Sequence, residues 1–230
     1  MEVIPGLWRI EGLGPCYLYR DADTYTLIDT GITGDATRIL DHLEKVGGNP
    51  EQLRQIILTH SHPDHTGGHA ELIERTGAQV LAHELDIPVI TGKEEITIPD
   101  VPAEERKFME MAIEETPLAK PARVDRVLQD GDEIELGSGA TAVHVPGHTP
   151  GSLAIFLPKE KLLFAGDAAE RDEEEKLILG MFNLDRPLAI KSFRKLAELD
   201  FDIACIGHGK PLDKDASLEF RRVAEKLANG

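Results

Sequence analysis

Three imidazoles and a carboxylate crowd into six residues at His60-Ser61-His62-Pro63-Asp64-His65, directly after the apolar run Gln55-Ile56-Ile57-Leu58-Thr59. Buried strands read as short β-branched runs, and binding groups collect in the loops at strand ends. His60 and His62 are two residues apart, so an extended backbone points both side chains the same way. Asp64 and His65 then fall on the following turn, where Gly67-Gly68 gives the chain room to bend. Neutral imidazole and carboxylate suit zinc, iron or manganese, and this many donors exceed what one structural ion needs. The competing account is a set of polar loop residues with no joint role.

Three further segments weigh against that account. Each runs apolar residues into a potential ligand: Thr141-Ala142-Val143-His144-Val145-Pro146-Gly147-His148, Leu162-Leu163-Phe164-Ala165-Gly166-Asp167, and Ile203-Ala204-Cys205-Ile206-Gly207-His208. In all three a glycine stands immediately before the ligand candidate, where the chain must leave a sheet and turn tightly. Four strand ends delivering His or Asp to one edge is how α/β proteins assemble active sites.

With these motifs in this order, the chain resembles the metallo-β-lactamase-fold hydrolase superfamily. The likeness runs from Ile28-Asp29-Thr30-Gly31 to His208, and the Pro-Gly-His-Thr-Pro-Gly-Ser segment at 146–152 resembles its glyoxalase II and lactonase branches. The resemblance implies two divalent metal ions, zinc by default, with iron and manganese satisfied by similar donors. It assigns His60, His62 and His148 to one ion and Asp64, His65 and His208 to the other, with Asp167 bridging both. A di-iron flavoprotein would place a Glu ligand where His62 stands, which argues against oxygen reduction. Two ions about 3.5–4 Å apart can share a hydroxide that attacks a carbonyl carbon while one ion polarises its oxygen. Asp64 would then be the catalytic carboxylate, orienting the nucleophile or moving its proton. Ser61, Cys16 and Cys205 are weak nucleophile candidates beside it.

The substrate is less sharply drawn. Only 22 residues follow His208, too few for the helical domain with which glyoxalase II holds glutathione, and no Tyr follows Tyr25 to serve as a late phenol donor as in some lactonases. The expectation is a binuclear hydrolase of a small thioester, ester or lactone. A mononuclear iron persulfide dioxygenase is the alternative within this fold, and it would leave several candidate ligands unused. A non-enzymatic metal-binding module is the third reading.

Other polar residues need separate weighing. Asp29 reads either as a cap for a helix beginning near Thr33 or, by the resemblance, as an outer residue that fixes a ligating imidazole. His42, His69, His83 and His144 lie outside the cluster and read as scaffold residues.

The elements that must position these groups read as two αβ halves. Strands are expected near 2–11, 15–20, 24–29, 54–59 and 78–82, then near 124–128, 132–136, 140–145, 153–157, 161–165 and 202–206 in the second half. Helices are expected at about 33–46, 67–76, 186–199 and 215–228. The expected architecture is α/β, a four-layer αβ/βα sandwich, as one domain over 1–230 with a helical insertion near 86–123. In that insertion a helix from Ala103 to Glu115 carries Phe108, Met109, Met111, Ala112 and Ile113, read as core packing, with a lid or a homo-dimer surface as the sharper alternative. Leu179-Gly180-Met181-Phe182-Asn183 reads as a flexible apolar wall, and Glu170-Arg171-Asp172-Glu173-Glu174-Glu175 as a solvated acidic loop.

Composition narrows the partners. Net charge is −17, with 25 Lys and Arg against 42 acids, so phosphate backbones are disfavoured and nucleic acid is not an expected partner. The start Met1–Trp8 lacks a signal-peptide pattern, no apolar run reaches membrane-spanning length, and two cysteines make no disulfide framework. The expectation is a cytoplasmic protein acting on a small molecule.

Overall fold

The computed structural model describes residues 1–101 and 103–229, and its chain divides into two compact units, Met1–Val127 and Leu128–Gly230. The first unit carries strands β1 (Glu2–Ile4), β2 (Leu7–Ile10), β3 (Cys16–Asp21), β4 (Thr24–Ile28), β5 (Leu53–Ile57) and β6 (Gln79–His83), and the division between units falls inside β7 (Arg126–Leu128). These form one mixed sheet in sequence order, antiparallel from β1 to β4 and parallel from β4 to β6. Parallel neighbours end at the same edge, so Asp29 after β4, the His60 loop after β5 and His83 at the end of β6 share one rim. The strand expected in the second half near 124–128 belongs instead to this first sheet. Asp125 explains why: its backbone N–H donates to the Val80 carbonyl at 2.8 Å, and its side chain accepts the Val80 N–H at 2.8 Å.

Helix α1 (Ala36–Lys45) follows β4 and turns Ala36, Ile39, Leu40 and Leu43 inward, the i, i+3, i+4, i+7 spacing of one face. Those side chains pack with Leu27, Ile56, Leu58, Leu72 and Ile73 in the first core. The helix expected at 67–76 is resolved into a single turn, α2 (Pro63–Thr66), and α3 (His69–Thr76), which ends at Gly77 in the left-handed region. The insertion holds two helices rather than one, α4 (Ile87–Ile90) and α5 (Ala103–Glu115). On α5 the core-packing reading holds for Met109 alone; Phe108, Met111 and Ile113 are exposed.

The second unit carries β8 (Glu133–Ile134), β9 (Ala140–His144), β10 (Leu153–Leu157), β11 (Leu162–Gly166), β12 (Ala169–Arg171), β13 (Leu177–Leu179) and β14 (Ile203–Ile206), with α6 (Arg186–Ala197) and α7 (Ala216–Asn229). Its main sheet is ordered β14-β11-β10-β9-β8. Because β10 is antiparallel to both β9 and β11, and β11 is parallel to β14, the strands β9, β11 and β14 run the same way. Their three C-terminal ends lead to His148, Asp167 and His208. The β12–β13 hairpin was not expected: its three-residue strands are too short to show a period in sequence.

Both sheets are flanked by helices. In the second unit α6 and α7 close a core in which Phe220 stacks on Phe193 (centroids 4.9 Å apart) and meets Phe201 edge-on (5.1 Å). All three rings are fully buried, so Phe220→Ala removes packing on two sides. Urea unfolding should show a loss of about 3–5 kcal/mol, the usual range for a buried aromatic cut to Ala.

Candidate metal centre

The first unit's candidate ligands are placed by the segment after β4. The His65 carbonyl accepts the Thr30 N–H at 2.7 Å and the Thr30 hydroxyl at 2.9 Å, and Gly67 N–H donates to the Gly31 carbonyl at 2.8 Å. The loop can lie this close only without side chains: a Cβ on Gly14 would stand 1.7 Å from the Asp64 carbonyl oxygen, and one on Gly67 2.2 Å from the Ile32 backbone. His62 has extended dihedrals, and its ring centroid is 4.8 Å from that of His60; the His65 ring centroid is 4.2 Å from that of His60. Three imidazoles therefore gather at the end of β5.

Their protonation follows from Asp29. Its Oδ1 accepts the Thr59 N–H at 2.8 Å, and its Oδ2 accepts both the Thr59 hydroxyl at 2.8 Å and His65 Nδ1–H at 2.9 Å. The Thr59 hydroxyl has one proton and gives it to Asp29, so its contact with His60 Nδ1 at 3.0 Å must be donated by the imidazole. Asp29 thus places a proton on Nδ1 of His65 directly and of His60 through Thr59, leaving Nε2 of each as the nitrogen that can face a ligand. It does not cap the following helix, whose N-cap is Asp35. Its φ of +61° is a conformation that Asp and Asn tolerate better than most residues.

In the second unit, His148 sits on a turn locked by Thr149 and Ser152, whose hydroxyls are 2.8 Å apart. Ser192 on α6 donates to the Pro146 carbonyl at 2.6 Å, and Gly147, at φ +134°, lies where a Cβ would meet the Ala189 backbone at 2.3 Å. His148 Nδ1–H donates to the Met181 carbonyl at 2.9 Å, again presenting Nε2. Asp167 rests on Gly207, where a Cβ would stand 1.9 Å from its Oδ1.

Asp167 Oδ2 lies 3.5 Å from His148 Nε2 and 3.4 Å from His208 Nε2, and in the first unit Asp64 Oδ2 lies 3.4 Å from His65 Nε2. These separations are long for hydrogen bonds. Two donors each 2.0–2.1 Å from a tetrahedral ion stand roughly 3.3 Å from one another, so the spacing fits metal coordination. His and Asp groups that could hold metal ions are thus present, drawn from His60, His62, Asp64 and His65 in the first unit and His148, Asp167 and His208 in the second. His60, His65, His148 and Asp167 are buried, while His62, Asp64 and His208 are partly exposed.

Residues outside the set are accounted for by the scaffold. His144 Nε2 meets the Pro150 carbonyl at 2.8 Å, and His83 is buried at its strand end. Both cysteines are free and buried, and burial pushes the Cys16 thiol up to about 12, far from a thiolate. Two expectations are corrected. The stretch 179–183 is not flexible but tied down: Asn183 Nδ2 donates to the Gly180 carbonyl at 2.6 Å, and the Leu184 and Asp185 amides donate to the His148 and Gly147 carbonyls. Glu170 is not solvated; it is 4% exposed, with only the later members of its acidic run reaching water. Sequence reasoning missed Thr59 and the Met181 carbonyl. A hydroxyl beside the first histidine was a signal; a backbone carbonyl 33 residues away left none.

A fold of mixed sheets flanked by helices, with His and Asp at the strand ends, defines an α/β protein equipped to hold metal ions. Residues 9–208 match the Metallo-beta-lactamase superfamily, and the chain belongs to it. A probable metallo-hydrolase of Bacillus subtilis, YflN, is 30% identical over 223 residues, covering 90% of this chain and 82% of that one. A hydroxyacylglutathione hydrolase of Hyphomonas neptunium is 30% identical over 59% of this chain and 40% of its own length. An N-acyl homoserine lactonase from a Bacillus species is 26% identical over 80% and 75%. Among solved structures, a metallo-β-lactamase family protein from Thermus thermophilus superposes with a TM-score of 0.72 at 26% identity, covering 99% of this chain and 79% of that one. The fold is the metallo-β-lactamase fold, and the chain is a metallo-hydrolase of that superfamily. No helix among the described residues is long and apolar enough to cross a membrane.

Asp29→Asn keeps the shape and the backbone conformation but turns one acceptor into a donor. His65 should then expose Nδ1 and carry its proton on Nε2, and metal affinity by chelator competition should fall roughly 10–100-fold. A second expectation concerns His69, fully buried at the start of α3 and hydrogen-bonded through Nδ1 to the Thr66 carbonyl. Burial lowers its pKa from the usual 6.5, so the unfolded chain takes up a proton that the folded one refuses. Metal-free wild type should therefore lose stability relative to His69→Asn as pH falls below about 6.5, by up to about 1.4 kcal/mol per pH unit, with the difference constant above it. Denaturant melts at several pH values read this directly.

Proposed function

We propose that this chain is a binuclear metal-dependent hydrolase, with zinc as its metal, that cuts a small thioester, ester or lactone. The reading gives His60, His62 and His148 to one ion and Asp64, His65 and His208 to the other, with Asp167 serving both. The observation that carries it is Asp167 Oδ2 standing 3.5 and 3.4 Å from two imidazole Nε2 atoms, a carboxylate poised as a shared ligand. The substrates named in two relatives, a hydroxyacylglutathione and an acyl homoserine lactone, support a carbonyl carbon of a small acyl compound as the point of attack.

When bound, divalent ions supply Lewis acidity, which acidifies a water and polarises a carbonyl oxygen. The chain's own work is to hold the donors in orientation and to move the proton. Asp29, Thr59 and the Met181 carbonyl keep protons on Nδ1 of His65, His60 and His148, so Nε2 of each ring is the nitrogen offered for binding. Asp64, its side chain 21% exposed, is the carboxylate that reaches solvent and substrate; it takes the proton released on attack and returns one to the leaving group.

Elemental analysis of protein purified without chelator should find about two zinc ions per chain, and chelator-sensitive hydrolysis should appear in a panel of thioesters and lactones. His62→Ala should lower bound metal and cut hydrolysis by more than the roughly 100-fold that losing an outer partner costs, with unchanged circular dichroism. Full activity in that variant would sink the mechanism. One iron per chain, with oxygen uptake on a persulfide, would replace hydrolysis by sulfur dioxygenation.

A further inference from the structure

Glu170 is an acid with no role in the reading above, yet it is 4% exposed. Burying a carboxylate is costly unless hydrogen bonds to it compensate. Glu170 Oε1 accepts the backbone N–H of Met181 at 3.1 Å, and Met181 is the residue whose carbonyl accepts His148 Nδ1–H at 2.9 Å. The two contacts lie on opposite ends of one residue, so an anchored amide leaves only the φ and ψ of Met181 to set where its carbonyl points.

The surrounding backbone packs closely on Glu170. A Cβ on Gly180 would stand 1.8 Å from the Asp167 carbonyl oxygen and 3.2 Å from Glu170 Oε1, so the Gly180–Met181 turn is packed directly against Asp167 and Glu170. The next residue, Phe182, has a φ of +53°, unfavourable for an aromatic side chain and maintained only where neighbours over-determine it. One residue further along β12, Arg171 N–H donates to the His208 carbonyl at 2.9 Å and its guanidinium Nε donates to the Lys210 carbonyl at 2.8 Å. A three-residue strand, beginning two residues after Asp167, therefore reaches the segments of both candidate histidine ligands in this unit.

We propose that Glu170 is a positioning residue that sets the tautomer of His148, through Met181, so that Nε2 is presented for metal. The proposal rests on the assignment of His148 as a ligand. Glu170 acts through its acceptor oxygen: it orders the Met181 amide, the carbonyl follows, and the imidazole proton is drawn to Nδ1. Gln retains that oxygen; Met retains the volume without it.

The test compares wild type with Glu170→Gln, Glu170→Met and Glu170→Ala. Zinc affinity is read by competition with a chromophoric chelator, and the His148 proton by long-range proton–nitrogen spectra of the metal-free protein. Wild type and the Gln variant should show His148 protonated on Nδ1 and bind zinc alike. The Met and Ala variants should show mixed tautomers and at least one zinc weakened roughly 10–100-fold. Met keeps the packing should Ala fail to fold. Wild-type zinc affinity and an Nδ1-protonated His148 in the Met variant would overturn the proposal, as would a Gln variant as impaired as Met. If wild type itself takes up no zinc, the metal reading fails, while the His148 tautomer still decides whether Glu170 positions that ring.

Discussion

An imidazole has two nitrogens, and only one of them can face a metal while the other holds the ring's proton. Every histidine offered at a strand end therefore needs an acceptor behind it, and much of the local structure serves that need. Asp29 supplies it for His65 and, through Thr59, for His60; the Met181 carbonyl supplies it for His148. Without these acceptors the same rings would sample both tautomers and rotate, and a metal would have to order them on binding.

The acceptors depend on how closely the backbone can approach the ligands. Asp29 can reach Thr59 and His65 because β4 and β5 are parallel neighbours ending at one edge, and because the loop beyond them is held against residues 30 and 31 by backbone hydrogen bonds. Glycines beside the ligands serve two different ends. Gly147 and Gly166 have left-handed φ values of +134° and +52°, Gly147 being short of room as well, whereas Gly207 is needed for space alone, since Asp167 occupies the place its Cβ would take. All three look alike in sequence, a Gly before a ligand, although the physical requirement differs.

Membership of the metallo-β-lactamase superfamily defines the chemistry far better than the substrate. The donors at the strand ends are backed by hydrogen bonds, whereas the segment that departs most from the regular alternation of strand and helix, 86–123, keeps Phe108, Met111 and Ile113 of α5 exposed. The candidate ligands and this insertion are therefore built in different ways: the first on strand ends closed by hydrogen bonds, the second on loops and helices between strands.

The ligand candidates, the strands that carry them and the fold class were legible in the amino-acid order, because strand ends, glycine and histidine spacing are local signals. The helix over Ala103–Glu115 was legible for the same reason, as prolines bracket it and its apolar residues recur at helical spacing. Its burial was not, since an apolar stripe states what a helix could cover and not whether anything covers it. Tertiary structure alone decided that Arg126–Leu128 joins the first sheet, through an Asp125–Val80 pair 45 residues apart in the chain. It alone drew Glu170 out of an acidic run and set it beneath the turn that holds His148. Spacing in sequence reports what one element can present. Which distant carbonyl or carboxylate stands behind it is settled only when separate elements pack, and that is where the choice of tautomer at each histidine is made.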